Sequence, residues 1–284
     1  MIPFTNQAAL SYNGITKNSN IVSGNIVETL SATKTAVNPS YAAGDTITYA
    51  VNIVNTGAVP YTGLTITDNL GQTAFGEENI YPLDYVAGTV KYFINGALQA
   101  APTVATEKPL TITGINVPAG GNATILYDAK TNGFAPLGTE ASILNSATIS
   151  GGNIAAPLIA TETVNAATGI NLSIVKSLSP TEVSENGRLT YTFLIENYGN
   201  TAADADDAAV ITDVFNPALK NISVTYNGAA WTEGTNYTYT ETNGTFTTNA
   251  GQITVPAATF TQNAQTGAWS TTPGISTLIV TGTV

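Results

Sequence analysis

The 284-residue chain has no cysteine and no histidine, a single methionine and two tryptophans. Without cysteine there are neither disulfides nor thiolate ligands, and without histidine the commonest general base and metal ligand is missing as well. If the chain is exported and durable, something other than disulfides holds it. Basic residues are scarce too: eight Lys and Arg stand against nineteen Asp and Glu, a formal charge of −11. Phosphate neutralisation needs clusters of basic side chains, so this balance argues against a nucleic-acid partner and disfavours an anionic membrane surface. No apolar run reaches the ~18 residues of a membrane span. The N-terminal stretch MIPFTNQAALSYNG lacks both the basic region and the continuous apolar region of a cleaved secretion signal.

What is present is Thr, Ala, Asn, Gly, Val and Ile, with 10% charged and 8% aromatic residues. That composition favours strands and turns, and the length suits two domains of roughly 100 to 150 residues. The chain repeats itself. LSATKTAVNP from Leu30 matches LSIVKSLSP from Leu172, and TITYAVNIVNTG from Thr46 matches RLTYTFLIENYG from Arg188. In the same order LTITDNL matches AVITDVF, VKYFINGALQ matches ISVTYNGAAW, and GGNATILYDAK from Gly120 matches GISTLIVTGTV from Gly274. Most of these runs alternate apolar and polar residues, as at Ile47, Tyr49, Val51 and Ile53. Asn95-Gly96 and Asn227-Gly228 sit where two-residue hairpin turns belong. The fold expected is all-β, two tandem immunoglobulin-like sandwiches over 30–150 and 171–284 joined by a linker at 151–170.

The copies differ at their ends. In the first, the strand in GGNATILYDAK is followed by a closing strand, SILNSATIS, whereas the second copy reaches Val284 without one. Its match lies at the front of the sequence, where Phe4, Asn6 and Ala8 correspond to Ile143, Asn145 and Ala147. The chain reads as a cyclic shift of two complete domains. Residues 3–11, carrying Phe4, Asn6, Ala8 and Leu10, are expected to be a donor strand, with 12–29 as the linker to the first sandwich. An open sandwich exposes apolar surface and unpaired strand edges that must be covered. Insertion into a second copy, repeated head to tail, generates an open filament.

The K-T…TITYAVNIVNTG…LTITDNL…LNSAT series resembles the conserved repeat domain of bacterial cell-surface proteins and, more broadly, the isopeptide-forming pilin and adhesin domains. The resemblance covers residues from about 30 to 284 together with the N-terminal strand. It implies that Lys34 is joined to Asn145 with Asp68 as the promoting carboxyl. In the second copy it implies that Lys176 and Asp213 occupy the equivalent places, with Asn6 of another copy as the only Asn the alignment offers. The chemistry asks for burial, because an amine is a nucleophile only when neutral and an apolar surround lowers a Lys pKa while raising that of a carboxyl. A neutral carboxyl can polarise the Asn carbonyl and shuttle protons as ammonia leaves. The plainer reading makes each Lys a solvated strand-end charge, each Asp a turn residue and each Asn a backbone partner. Asp45 has no acidic counterpart in the second copy, where Gly187 and Arg188 stand, and is not a shared catalyst.

Other features point elsewhere. Asp204, Asp206 and Asp207 could gather calcium, but the spacing of a full ligand loop is missing and a solvated acidic loop is the better reading. Trp231, Tyr237 and Tyr239 could form a carbohydrate-stacking surface, against the commoner role of cross-strand pairs. Asn122-Ala-Thr and Asn243-Gly-Thr are acceptor triplets that any Asn- and Thr-rich chain contains. No nucleophile-base pair, phosphate-binding glycine loop or metal constellation is recognisable, so neither cofactor nor metal is expected and the chain is not read as a turnover enzyme.

The expected function is that of a structural subunit of an extracellular filament on a bacterial cell or spore surface. It would polymerise with itself by strand donation, with single-turnover isopeptide bonds for durability. The filament expected is pilus-like or spore-appendage-like: a sortase-assembled pilin would normally carry a secretion signal and a sorting motif, whereas a spore appendage built inside a mother cell would need neither. The alternatives are a monomeric or arrayed surface adhesin with its N-terminal strand folded back, and a surface-layer component.

Overall fold

In a computed structural model that describes residues 2–152 and 154–284, the chain is all-β; the one helical element among those residues is a short 3-10 turn, Ala205–Asp207. It divides into two compact units. The first runs to Ala135 and takes in Ser142–Asn165, and the second comprises Pro136–Ala141 and Ala166–Val284.

The first unit is built on two six-stranded sheets. One contains, in order, Ala97–Leu98, Lys91–Ile94, Asn122–Thr131, Thr46–Asn55 and the opening strand Leu30–Ala36, with Leu83–Tyr85 also pairing with Asn122–Thr131. The other runs Thr103–Glu107, Leu110–Val117, Tyr61–Asp68, the closing strand Ser142–Gly151, the outer strand Leu158–Ala166, and Ser40–Tyr41. Period-2 alternation sends Ile47, Tyr49, Val51 and Ile53 of one sheet inward. Leu64, Ile66, Ile112, Ala147 and Ile149 of the other are buried in the same way.

The second unit repeats the first sheet, with Leu172–Ser179, Arg188–Asn197, Gly274–Thr283, Lys220–Tyr226 and Ala229–Trp231 side by side. Its second sheet is short: Thr212–Val214, Thr245–Thr248 and Tyr237–Thr240. The core is aromatic, with Phe215 stacked on Tyr191 at 4.8 Å and 5.8 Å from Phe246. Tyr237 packs on Phe246, and Trp231 stacks on Tyr226. The Tyr239 hydroxyl donates to the Leu219 carbonyl and accepts from its N–H. Of this run, Tyr237 is therefore in the core of the second unit, with Trp231 and Tyr239 packed against it.

Both Asn-Gly pairs form turns with positive φ at each residue, 47° and 80° at Asn95-Gly96 and 49° and 82° at Asn227-Gly228. The Asp204–Asp207 loop is a capping box: Asp204 accepts from the Asp206 N–H and Asp207 from the Asp204 N–H. Among the described residues no group of three or more His, Cys, Asp or Glu is placed to hold a metal.

Two segments expected to be linkers carry strands. Within 151–170, Leu158–Ala166 pairs along its length with the closing strand, from Ser142↔Asn165 to Ile149↔Leu158. Within 12–29, the chain turns at Asn13-Gly14 and runs back, so that Ala9–Tyr12 pairs with Ile15–Asn18 and Ile2–Asn6 with Val22–Ile26. Residues 3–11 are thus one arm of a hairpin rather than a lone strand. The Thr and Asn interspersed in both segments blur the alternation that would mark a strand. One repeat match also shifts by a residue. Tyr127 lies opposite Tyr49 and Val280 opposite Tyr191, so Gly121, not Gly120, is the structural counterpart of Gly274.

A buried Asn marks the same corner in each unit. Asn55 Nδ2 donates to the Val59 and Pro118 carbonyls while Oδ1 accepts from the Gly57 N–H. Asn197 Nδ2 donates to Thr201 and Pro256, and Oδ1 accepts from Asn171 and Gly199. Asn55→Ala and Asn197→Ala each strand several buried backbone groups and are expected to destabilise their unit by about 3 kcal/mol in urea unfolding. A loss below about 1 kcal/mol would show that the corner is held by other contacts.

Candidate functional site

Lys34 occupies an inward position of the opening strand, four residues from buried Leu30 and so on the same face. Asp68 ends the strand Tyr61–Asp68 on the facing sheet, between Leu110 on one neighbour and Ala147 on the other. Asn145 is two residues from Ala147 on the closing strand, which puts its side chain on the same inner face. All three are buried. The structure thus brings Lys34 and Asp68 together between the sheets, with Asn145 beside them.

Lys34 Nζ donates to Asp68 Oδ2 at 2.5 Å, and both side chains have 0% exposure. The same oxygen accepts from the Tyr127 hydroxyl at 2.5 Å, while Oδ1 accepts from the Leu70 N–H at 2.9 Å. Lys34 Nζ lies 4.6 Å from the centre of the Tyr49 ring, which stacks with Tyr127 at 5.6 Å. The Gly71 N–H is shared between two acceptors, Asn69 Oδ1 at 3.1 Å and Asn145 Oδ1 at 3.3 Å. Leu70 and Gly71 both have positive φ, 52° and 70°, so consecutive N–H groups point at Asp68 and Asn145. Leu70 carries the strain of that conformation as a buried non-glycine residue. Among the described residues, two buried side-chain polar atoms have no hydrogen-bond partner, the Tyr49 hydroxyl and Asn145 Nδ2. Both are here. Asn145 lies near the Tyr49 and Tyr127 hydroxyls and partly offsets the upward push that burial gives them.

Burial lowers the Lys34 amine from 10.5 to about 8, against the opposing pull of Asp68 and, more weakly, Glu162. Burial raises Tyr41 to about 12 and pushes the Tyr49 and Tyr127 hydroxyls above their ordinary range. An amine so placed can give its proton to Asp68 along an existing hydrogen bond. The neutral Nζ is then a nucleophile, and the buried primary amide near the same two tyrosines has an NH2 without a hydrogen-bond partner and a carbonyl oxygen that accepts from the shared Gly71 N–H. Those are the components of amide exchange, with the Gly71 N–H where negative charge would develop.

The second unit repeats part of this. Lys176 forms an ion pair with Asp213, whose Oδ1 accepts from the Val214 N–H. The amine sits 4.4 Å from the centre of the Tyr191 ring and 5.3 Å from that of Phe215. Here the pair is open, with the Lys176 side chain 39% and the Asp213 side chain 17% exposed. Val280 stands where the first unit has Tyr127, so no hydroxyl reaches the carboxylate from that strand. Asn6 is placed in the N-terminal hairpin opposite Val22 and belongs to the first unit. Phe4 and Leu10 are exposed there. Sequence reasoning missed Tyr49, Tyr127 and Gly71. The tyrosines were readable as inward positions of alternating strands, whereas nothing in the sequence marked the Gly71 N–H.

No family model and no curated protein matches the chain. Among solved structures it is similar to the pilus backbone RrgB of Streptococcus pneumoniae, at 14% identity and a TM-score of 0.34, over 86% of this chain and 55% of that one. It is similar to BcpA, the major pilin subunit of Bacillus cereus, at 13% identity and a TM-score of 0.36, over 96% and 73%. A collagen-binding domain of a Staphylococcus aureus adhesin matches at 14% identity and a TM-score of 0.31, over 50% and 99%. The chain spans about half the length of the RrgB structure.

The lowered amine gives a pH signature once the amide is removed. In Asn145→Ala, Lys34 is protonated to pH 10.5 when unfolded but only to about 8 when folded, so the unfolded state holds the extra proton between these values. Stability therefore rises with pH in that window, by about 2 kcal/mol from pH 8 to 10. Above pH 10 the raised tyrosines act in the opposite sense, since the unfolded chain ionises them first. Urea unfolding at pH 7, 8, 9 and 10 checks this, and a flat profile would contradict the lowered amine.

Proposed function

We propose that the protein is a structural subunit of an extracellular filament in which the N-terminal segment of one copy completes the second unit of the next. Lys-Asn isopeptide bonds form within the first unit and between subunits. The observation that carries the reading is the half-built second site. Lys176 and Asp213 repeat the Lys34–Asp68 pair in the open, the outer edge of Thr212–Val214 pairs with no strand among the described residues, and Asn6 holds the sequence position that Asn145 holds in the first copy.

In the first unit, Lys34 passes a proton to Asp68 and Nζ attacks Cγ of Asn145. The new Nζ–Cγ bond forms as the Cγ–Nδ2 bond breaks, and ammonia leaves with protons relayed by the Asp68 carboxyl. The Gly71 N–H holds the developing oxyanion, and Tyr127 keeps the carboxyl aimed. Nothing is oxidised, and each site reacts once. In the second unit the same exchange joins Lys176 to Asn6 of the neighbour. Insertion comes first, because the Lys176 side chain is partly exposed with no amide beside it, and covering it with the neighbour's strand supplies both the burial and the amide.

Transfer of the first unit's pairing predicts the contact. Ala147 lies opposite Asp68 and Ile149 opposite Ile66, which sets Ala8 of the donor opposite Asp213 and Leu10 opposite Ile211. Ala8→Glu places a second carboxylate against Asp213 in a closed space and is expected to abolish filaments in negative-stain micrographs. Asn6→Ala keeps the strand and loses the amide, so its filaments are expected to form and to fall apart to single chains on boiling in detergent, where those of the unsubstituted chain persist. Unimpaired assembly of Ala8→Glu would overturn the reading. Boiling-resistant Asn6→Ala polymer would overturn the intersubunit bond alone.

A further inference from the structure

We infer that the element donated to the next subunit is a two-stranded hairpin, residues 2–26, rather than a single strand, and that its return arm Val22–Ile26 pairs with the segment around 181–183 of the acceptor. The inference rests on the strand donation proposed above and deepens it by naming the second contact surface.

Three observations carry it. In the first unit the closing strand does not work alone: the outer strand Leu158–Ala166 pairs with its far edge and in turn with Ser40–Tyr41, where the Asn165 N–H donates to the Pro39 carbonyl. Tyr41 is 1% exposed beneath this cover. The N-terminal hairpin has the same construction. Asn6↔Val22 and Phe4↔Gly24 repeat Asn145↔Glu162 and Ile143↔Val164, which carries Asn165 onto Asn25, also an Asn. The interior cell filled by Ile143 and Val164 is matched by Phe4 and Gly24, and Phe4 lies so close over Gly24 that a Cβ there would come within 2.6 Å of the ring. A large residue beside none replaces two of middle size.

The acceptor shows the complementary opening. By the repeat, Val183 is the counterpart of Tyr41, a match confirmed by the same turn bond, Asp45 N–H to Ala42 and Gly187 N–H to Ser184. Val183 is 39% exposed and borders an open groove of about 530 Å³ with Leu189, Pro217 and Val284. In the first unit Ile143, the counterpart of Phe4, packs against Gly71, and Gly71 corresponds to Asn216 beside Pro217. Phe4 therefore has its seat in this groove, and the return arm lies over Val183. The hairpin itself leaves Phe4 51%, Val22 54% and Ile26 43% exposed on one face. An isolated two-stranded ribbon is marginal in water, and this one presents its apolar face for burial. A second copy of the chain is the occupant that fits, because the opening and the hairpin are the two halves of one arrangement already closed in the first unit.

The absence of native cysteine makes the test direct. Full-length Asn25→Cys and Thr181→Cys chains are unfolded, mixed, refolded together and oxidised. Thr181 is the counterpart of Pro39, so a disulfide-linked pair is expected from the mixture and from neither variant alone. A parallel mixture of Ala9→Cys and Thr212→Cys reports the first arm, by analogy with Thr148↔Thr67. Linkage in both mixtures supports hairpin donation. Linkage only of Ala9 to Thr212 overturns the hairpin and leaves single-strand donation standing. Linkage in neither overturns donation itself.

Discussion

A lysine and an aspartate share a hydrogen bond in the dry space between two β-sheets, and the organisation of the protein follows from what that contact requires. Removing two charges from water costs several kcal/mol per ion, and their attraction repays this only with good geometry and with the remaining polar atoms satisfied. Here the geometry is tight, but the neighbouring Asn145 Nδ2 and Tyr49 hydroxyl are left without partners. An apolar pair would fill the same space at lower cost. The arrangement makes sense as a reactant state: burial brings the amine down to about 8, the carboxylate is positioned to take its proton, and the amide is held by a backbone N–H.

The proposed product replaces that costly contact with a covalent one. A bond from Lys34 to Asn145 ties the opening strand to the closing strand and encloses about 110 residues, which on the chain-entropy model restricts the unfolded state by roughly 4 to 5 kcal/mol. In a chain with no cysteine this serves as the cross-link. The second unit shows the same logic before closure. Its amine is partly exposed, the outer edge of Thr212–Val214 pairs with no strand among the described residues, and the hairpin proposed to cover it has an exposed apolar face. Folding of the first unit and assembly of the second are in this view the same event, one within a chain and one between chains.

Much of this was legible in the sequence because the information is local and periodic. Alternation at Ile47 to Ile53 and the Asn-Gly turns specify strands and hairpins directly, and the duplication aligns Lys34 with Lys176 and Asp68 with Asp213 without any coordinates. What escaped was non-local. The tyrosine partner of Asp68 depends on which strand lies opposite which, and a one-residue shift in the repeat match hides that Val280 replaces Tyr127. The strands in 12–29 are weakly patterned because they belong to two-stranded ribbons with both faces largely exposed, and Leu158–Ala166 because it lies towards the margin of its sheet, where Thr, Asn and Ser are tolerated. The Gly71 N–H has no side-chain signature, since it acts through the backbone of a left-handed turn.

In the proposed filament one reactive arrangement closes within a chain and the other between chains. Peptide mapping of denatured material assembled from an equal mixture of nitrogen-15-labelled and unlabelled chains addresses both at once. Two branched peptides are expected, each lighter by one ammonia: Lys34 joined to Asn145 with both arms always of one label, and Lys176 joined to Asn6 with arms of mixed label in about half of the copies. Branched Lys176–Asn6 peptides of single label throughout would mean that the N-terminal segment closes on its own chain, and the absence of any branched peptide would contradict the account.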